Sequence, residues 1–89
     1  MSFLFVFSRH ERRTPERGAH EIYEARCIPG NLIGVGRTQL EARQGLVGLL
    51  KWTRAEESSF EDWYRESWTR ACLDDLLRFR ERQAELVEL

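Results

Sequence analysis

Pro29-Gly30-Asn31-Leu32-Ile33-Gly34-Val35-Gly36-Arg37-Thr38-Gln39-Leu40-Glu41-Ala42 reads as a turn, a short strand and the start of a capped helix. Pro29-Gly30 fits a type II turn, in which proline presets φ at the second position and glycine supplies the positive φ of the third. Thr38 and Glu41 have capping-box spacing. The threonine hydroxyl can accept from the Glu41 backbone N–H, and the Glu41 carboxylate can reach back to the N–H of Thr38. Gly34 and Gly36 weaken the strand and imply a bulge or a close backbone approach. The stretch organises structure and carries no catalytic chemistry.

Two strands precede the turn. Residues 3–8 are rich in aromatic and β-branched side chains, with Phe3, Phe5 and Phe7 on one face and Leu4 and Val6 on the other. Both faces are apolar, so the strand is expected to be covered twice: by a helix, and by the second helix or a partner subunit. Residues 9–19 read as a polar loop with Pro15 and Gly18, the long tip of a hairpin. Residues 20–28 form the second strand, with Tyr23, Ala25 and Cys27 on one face and Glu24 and Arg26 on the other. A third strand lies near residues 32–37.

Two helices follow. Residues 39–55 place Ala42, Leu46, Leu49, Leu50 and Thr53 along one stripe. Gly45 and Gly48 each cost a helix interior roughly 1 kcal/mol relative to alanine, a cost that close packing on the sheet would offset. Ser59 is a fair N-cap for a second helix with Glu61 and Asp62 in its first turn. That helix is expected to run from about Phe60 to near the end. Phe60, Tyr64, Trp68, Cys72, Leu76 and Phe79 recur at helical spacing, and Trp63 and Leu73 widen the stripe. The expectation is one α+β domain over residues 1–89: a three-stranded antiparallel sheet packed by two helices, in the order β-β-β-α-α.

Composition narrows the function. Eighty-nine residues build one small core, and chains of this size often gain stability by oligomerising. A net charge of −1 removes any bulk electrostatic drive toward nucleic acid or anionic membrane. The apolar N-terminus is too short for a signal or membrane segment. Cys27 and Cys72 do not make a disulfide framework, and buried free thiols in a reducing cytoplasm are expected. Thirteen of the fourteen basic residues are arginine, which suits bidentate contacts to carboxylate or phosphate, although codon bias produces the same excess.

The chemistry-bearing residues do not form a catalytic pattern. His10 and His20 lack the short spacings of structural zinc sites, and no nucleophile elbow is present. Gly30 to Gly36 follows neither the dinucleotide nor the P-loop pattern. No metal or cofactor is expected. Arg9, Arg12, Arg13 and Arg17 in the polar loop are the best electrostatic candidates, diluted by Glu11 and Glu16 to a net +2. They suit an acidic partner or phosphates, but the loop has no interleaved aromatic residue, which argues against nucleic acid. Trp63 and Trp68 are candidate contact residues if the second helix leaves them exposed.

Ile28-Pro29-Gly30 and Gly36-Arg37-Thr38-Gln39-Leu40-Glu41-Ala42, with two strands before them, resemble the HicB-like antitoxin family over about residues 3–52. The resemblance implies a partial RNase-H-like fold without the nuclease residues, and a role in covering the active site of a small, basic toxin. The chain departs from the pattern in three ways. One extra residue separates Gly30 from Gly36, which implies a bulge. Arg26-Cys27 replaces the acidic residue before the turn. A long aromatic helix stands where an extra strand and a DNA-binding domain are expected. The resulting expectation is a non-catalytic, cytoplasmic, homodimeric regulatory protein that binds a protein partner and occludes it. The alternatives are a stand-alone inhibitor or adaptor that blocks a host complex, and a self-associating domain of another role.

Overall fold

The computed structural model describes residues 1–70 and 83–89. In chain order the elements are β1 (Ser2–Thr14), β2 (Gly18–Ile28), β3 (Ile33–Gly36), α1 (Gln39–Glu56), α2 (Phe60–Arg70) and β4 (Ala84–Glu88). The α+β class stands. Among the described residues the sheet has four strands rather than three, in the order β3-β2-β1-β4, with each neighbouring pair antiparallel.

The fourth strand, Ala84–Glu88, lies outside the expectation, which runs the second helix to near the end. Ala84-Glu85-Leu86-Val87-Glu88 has fair helix propensity, yet it pairs with β1 from Ser2↔Glu88 to Val6↔Ala84. Edge pairing overrides a weak local preference. Cys72, Leu73, Leu76 and Phe79 of the expected helical stripe lie outside the described residues.

The first two strands are much longer than their apolar patterns. β1 and β2 stay in register from Leu4↔Ile28 to Thr14↔Gly18, so the expected polar loop is mostly paired strand and the turn shrinks to residues 15–17. No apolar alternation marks this part, because a ribbon beyond the core needs none.

Phe3, Phe5 and Phe7 of β1, Ala25 and Cys27 of β2 and Val87 of β4 form the floor of the core. Ala42, Leu46 and Leu50 of α1 and Phe60 of α2 close it from above. The second helix therefore packs on the same face as the first. Tyr64 meets Phe3 edge-on at 5.1 Å, and its hydroxyl accepts from the Ser2 N–H (3.1 Å) and donates to the Ser2 carbonyl (2.8 Å). On the opposite face Val6 and Ile28 are also buried.

The opening stretch folds largely as read. Thr38 caps α1 by accepting from Glu41 N–H at 3.1 Å. The Glu41 carboxylate reaches back one residue further than expected, accepting from the N–H of Arg37 at 2.8 Å. Gly30 takes the positive φ (+99°), but the closing bond runs from Asn31 N–H to Cys27 C=O, wider than a type II turn, and the Ile28–Pro29 peptide is cis. Asn31 is left-handed (φ 60°), and β3 pairs with β2 residue by residue from Arg26↔Ile33 to Tyr23↔Gly36, without the expected bulge.

Candidate protein-binding surface

Residues 8–14 and 18–22 form a ribbon that extends past the rest of the sheet. β4 stops opposite Val6, and β3 stops opposite Tyr23. Beyond those points β1 and β2 continue as a two-stranded arm, and residues 9–13 are all exposed. At about 3.3 Å per residue the arm reaches on the order of 20 Å past the sheet. Only Ile22 supplies a large apolar side chain to it.

The four candidate arginines sit on this arm, although not in a loop. Arg9, Arg12 and Arg13 are on β1, and Arg17 alone is in the turn, where its backbone N–H donates to Thr14 Oγ1 at 3.2 Å. Strand alternation splits them. Arg9, Glu11 and Arg13 share the Phe7 face, and Arg12 shares the other face with His10. Arg9 Nε lies 3.6 Å from Glu21 Oε1, and the Tyr23 hydroxyl donates to Glu21 Oε2 at 3.3 Å. Glu11 stands directly opposite Glu21 in the ladder. Among the described residues, the structure shows no ion pair for Glu11 or for the guanidinium groups of Arg12, Arg13 and Arg17.

On the other face a polar row leads from the arm to the turn. Ser8 Oγ lies 3.0 Å from His10 Nε2 and donates to Glu24 Oε2 at 3.3 Å. Arg26 Nη2 is 3.7 Å from the same carboxylate oxygen, and its Nη1 donates to Asn31 Oδ1 at 3.2 Å. Exposed apolar side chains lie on both sides of this row: Val35 (61% exposed) and Ile33 on β3, and Leu86 (67%) on β4. Where the arm leaves the body, Phe7, Ser8, Arg9, Tyr23, Gln39 and Gln83 line an open depression of about 330 Å³.

The tryptophans divide differently from expectation. Trp63 is half-buried against Phe60 (ring centroids 5.1 Å apart) and lies over Gly30, at the margin of the core. Trp68 stacks edge-on against Tyr64 at 6.3 Å and keeps 36% of its surface exposed. The more exposed indole is Trp52 on α1, at 63%. Its position on the flank away from Ala42, Leu46 and Leu50 follows from helical spacing, which is the signal that could have singled it out.

Cys27 is fully buried among the core residues, and burial pushes its thiol up despite backbone hydrogen bonding around it. Among the described residues no three His, Cys, Asp or Glu side chains gather as metal ligands would. No described helix is long and apolar enough to cross a membrane. No family model, curated protein or solved structure matches this chain.

Proposed function

We propose that the protein is a non-catalytic regulatory domain that binds a protein partner and occludes it, in the manner of the HicB-like antitoxins it resembles. The carrying observation is the arm: a ribbon of exposed residues with charge of both signs, continuous with the four-stranded sheet. Arg9, Arg12, Arg13 and Arg17 would meet the partner's carboxylates or carbonyl oxygens, while Glu11 and Glu21 offer the complementary charge that a small basic toxin requires. Such mixed patterns set specificity and encounter rate more than raw affinity. The exposed Ile33, Val35 and Leu86 supply the apolar component of a contact surface, and Trp68 a partly exposed aromatic one. The resemblance also implies an extra strand after the helices, and β4 supplies a strand at that place.

The test is co-expression with the product of the adjacent reading frame. A small basic toxin there should be neutralised and should co-purify in fixed ratio. An Arg9→Ala/Arg12→Ala/Arg13→Ala/Arg17→Ala variant should lose both effects while keeping its far-ultraviolet circular dichroism. Neutralisation that survives the loss of all four arginines removes the arm from the interface. Stoichiometric recovery of a large host complex from native lysate would replace this reading with that of an inhibitor or adaptor.

A further inference from the structure

We infer that β3 pairs edge to edge, antiparallel, with β3 of a second copy of this chain, about a two-fold axis at Gly34. The Cys27 N–H donates to the Leu32 carbonyl at 3.0 Å, so Leu32 turns its backbone toward β2. Backbone direction alternates along an antiparallel ladder. Gly34 and Gly36 therefore face β2 as well, and Ile33 and Val35 turn their N–H and C=O groups away from it. Val35 is 61% exposed and Ile33 40%, the open state of an edge strand rather than of one paired on both sides. Edges of soluble proteins are blunted by charge, proline or bulges. Ile33-Gly34-Val35-Gly36 has none of these, and its ladder with β2 is unbroken. β4, on the other side of the described sheet, carries Glu85 and Glu88.

The edge is complementary to itself in one register. Centring the two-fold on Gly34 sets Ile33 against Val35 of the second copy, twice over. All of these residues turn their backbone groups outward, so both pairs are of the hydrogen-bonded kind and close four bonds between them. On the face opposite the helices, Ile33 lies beside Arg26 and Val35 beside Glu24. The row across the joint therefore reads Arg26, Ile33, then Val35 and Glu24 of the second copy: an apolar pair flanked by opposite charges. Centring on Ile33 brings two Arg26 rows together and sets Val35 against Asn31, whose left-handed backbone (φ 60°) lies outside the strand. Centring on Val35 brings two Glu24 rows together and sets Ile33 against Arg37, whose N–H already donates to Glu41. Each of those registers closes the two bonds of its central pair alone. Past the joint, Leu32 meets Gly36 of the second copy, and both already spend their backbone groups on β2. The Cβ that Gly45 of α1 lacks would stand 3.7 Å from the Val35 carbonyl oxygen, so the helix sets no side chain over that outward group there. Trp52, two turns along the same flank, is exposed and adds an aromatic residue to this side of the molecule. The contact is isologous and joins two sheets into one.

Sedimentation equilibrium of the purified chain tests the pairing without any toxin, so its outcome is independent of the co-expression assay. The wild type is expected to dimerise. Ile33→Lys/Val35→Lys sets lysine against lysine at both pairs and should weaken the dimer by at least about tenfold. Ile33→Glu/Val35→Lys sets opposite charges together in the Gly34-centred register and like charges together at the centre of each of the other two. It should associate within about threefold of the wild type. Leu86→Lys, an exposed position on β4, should leave association unchanged. A monomeric wild type, a double-lysine variant that dimerises like the wild type, or a glutamate–lysine variant as weak as the double-lysine one overturns the inference. Loss of the dimer in Leu86→Lys overturns it too, because the contact then lies at the other edge. All the substituted positions are exposed, and circular dichroism of each variant separates lost pairing from lost folding.

Discussion

Gly34 and Gly36 determine how closely α1 can approach the sheet. A Cβ at Gly34 would stand 2.5 Å from both the Ala42 carbonyl oxygen and the Leu46 nitrogen, atoms of the helix backbone that cannot rotate away. The close approach expected of the helix glycines is thus made by the strand glycines. Gly45 has ordinary contacts, and nothing lies near a Cβ at Gly48. Gly34→Ala should therefore lower stability by about 1–3 kcal/mol through overpacking, whereas Gly48→Ala should raise it by about 1 kcal/mol through helix propensity. Urea titration of the two variants checks the opposite signs. Cys27 gives a second prediction. Its thiol is held above the ordinary value of 9.0 by burial, so the folded state resists deprotonation more than the unfolded chain does. The advantage is fully present below that value and is lost as pH rises through the folded value. Cys27→Ala should remove up to about 1.4 kcal/mol per pH unit of that alkaline loss, seen as a shallower fall in stability above pH ~9.

β4 shows how an element is made by its neighbours. Its sequence lacks the β-branched richness of β1, and Val87 is its one β-branched residue and its one buried side chain. Pairing with β1 and the contact of Val87 with the core hold it. A bidentate bond from α1 adds to this: Arg43 Nε and Nη2 each donate to a Glu85 carboxylate oxygen at 2.9 Å. Hydrogen bonding to Arg43 holds the Glu85 carboxyl below its ordinary value of 4.5. This contribution is present above that value and lost as pH falls through the depressed one. Both side chains are partly open to water, so Arg43→Ala should cost only about 0.2–1 kcal/mol. Thermal melts at pH 7 and at pH ~3 check it, and the difference between variant and wild type should shrink at the acid end.

The body and the arm are held by different forces. Three phenylalanines of β1 and three side chains of α1 lie in one buried cluster in the body. Beyond Phe7 the arm has backbone ladders and charge but almost no apolar burial. Amide exchange should therefore divide the described chain in two. Amides of β1 and β2 within the sheet should exchange orders of magnitude more slowly than those of residues 9–14 and 18–22. Hydrogen exchange read by NMR makes the comparison.

The strand faces, the capped start of α1, its buried stripe of Ala42, Leu46 and Leu50, and the α+β class were legible in the amino-acid order. Each depends on neighbours within a few positions, where hydrophobic period, cap and turn chemistry act. The arginine cluster was legible too, as composition. Its placement on a paired ribbon was not, because the ladder joins residues as far apart as Ser8 and Glu24 and leaves no apolar signature. Leu86 and Val87 became strand because β1 has an open edge. Trp63 went to the core margin because Gly30 leaves room for its ring. Those outcomes are set by contacts between distant segments, whose stabilities exceed the small local preferences that a linear pattern can register.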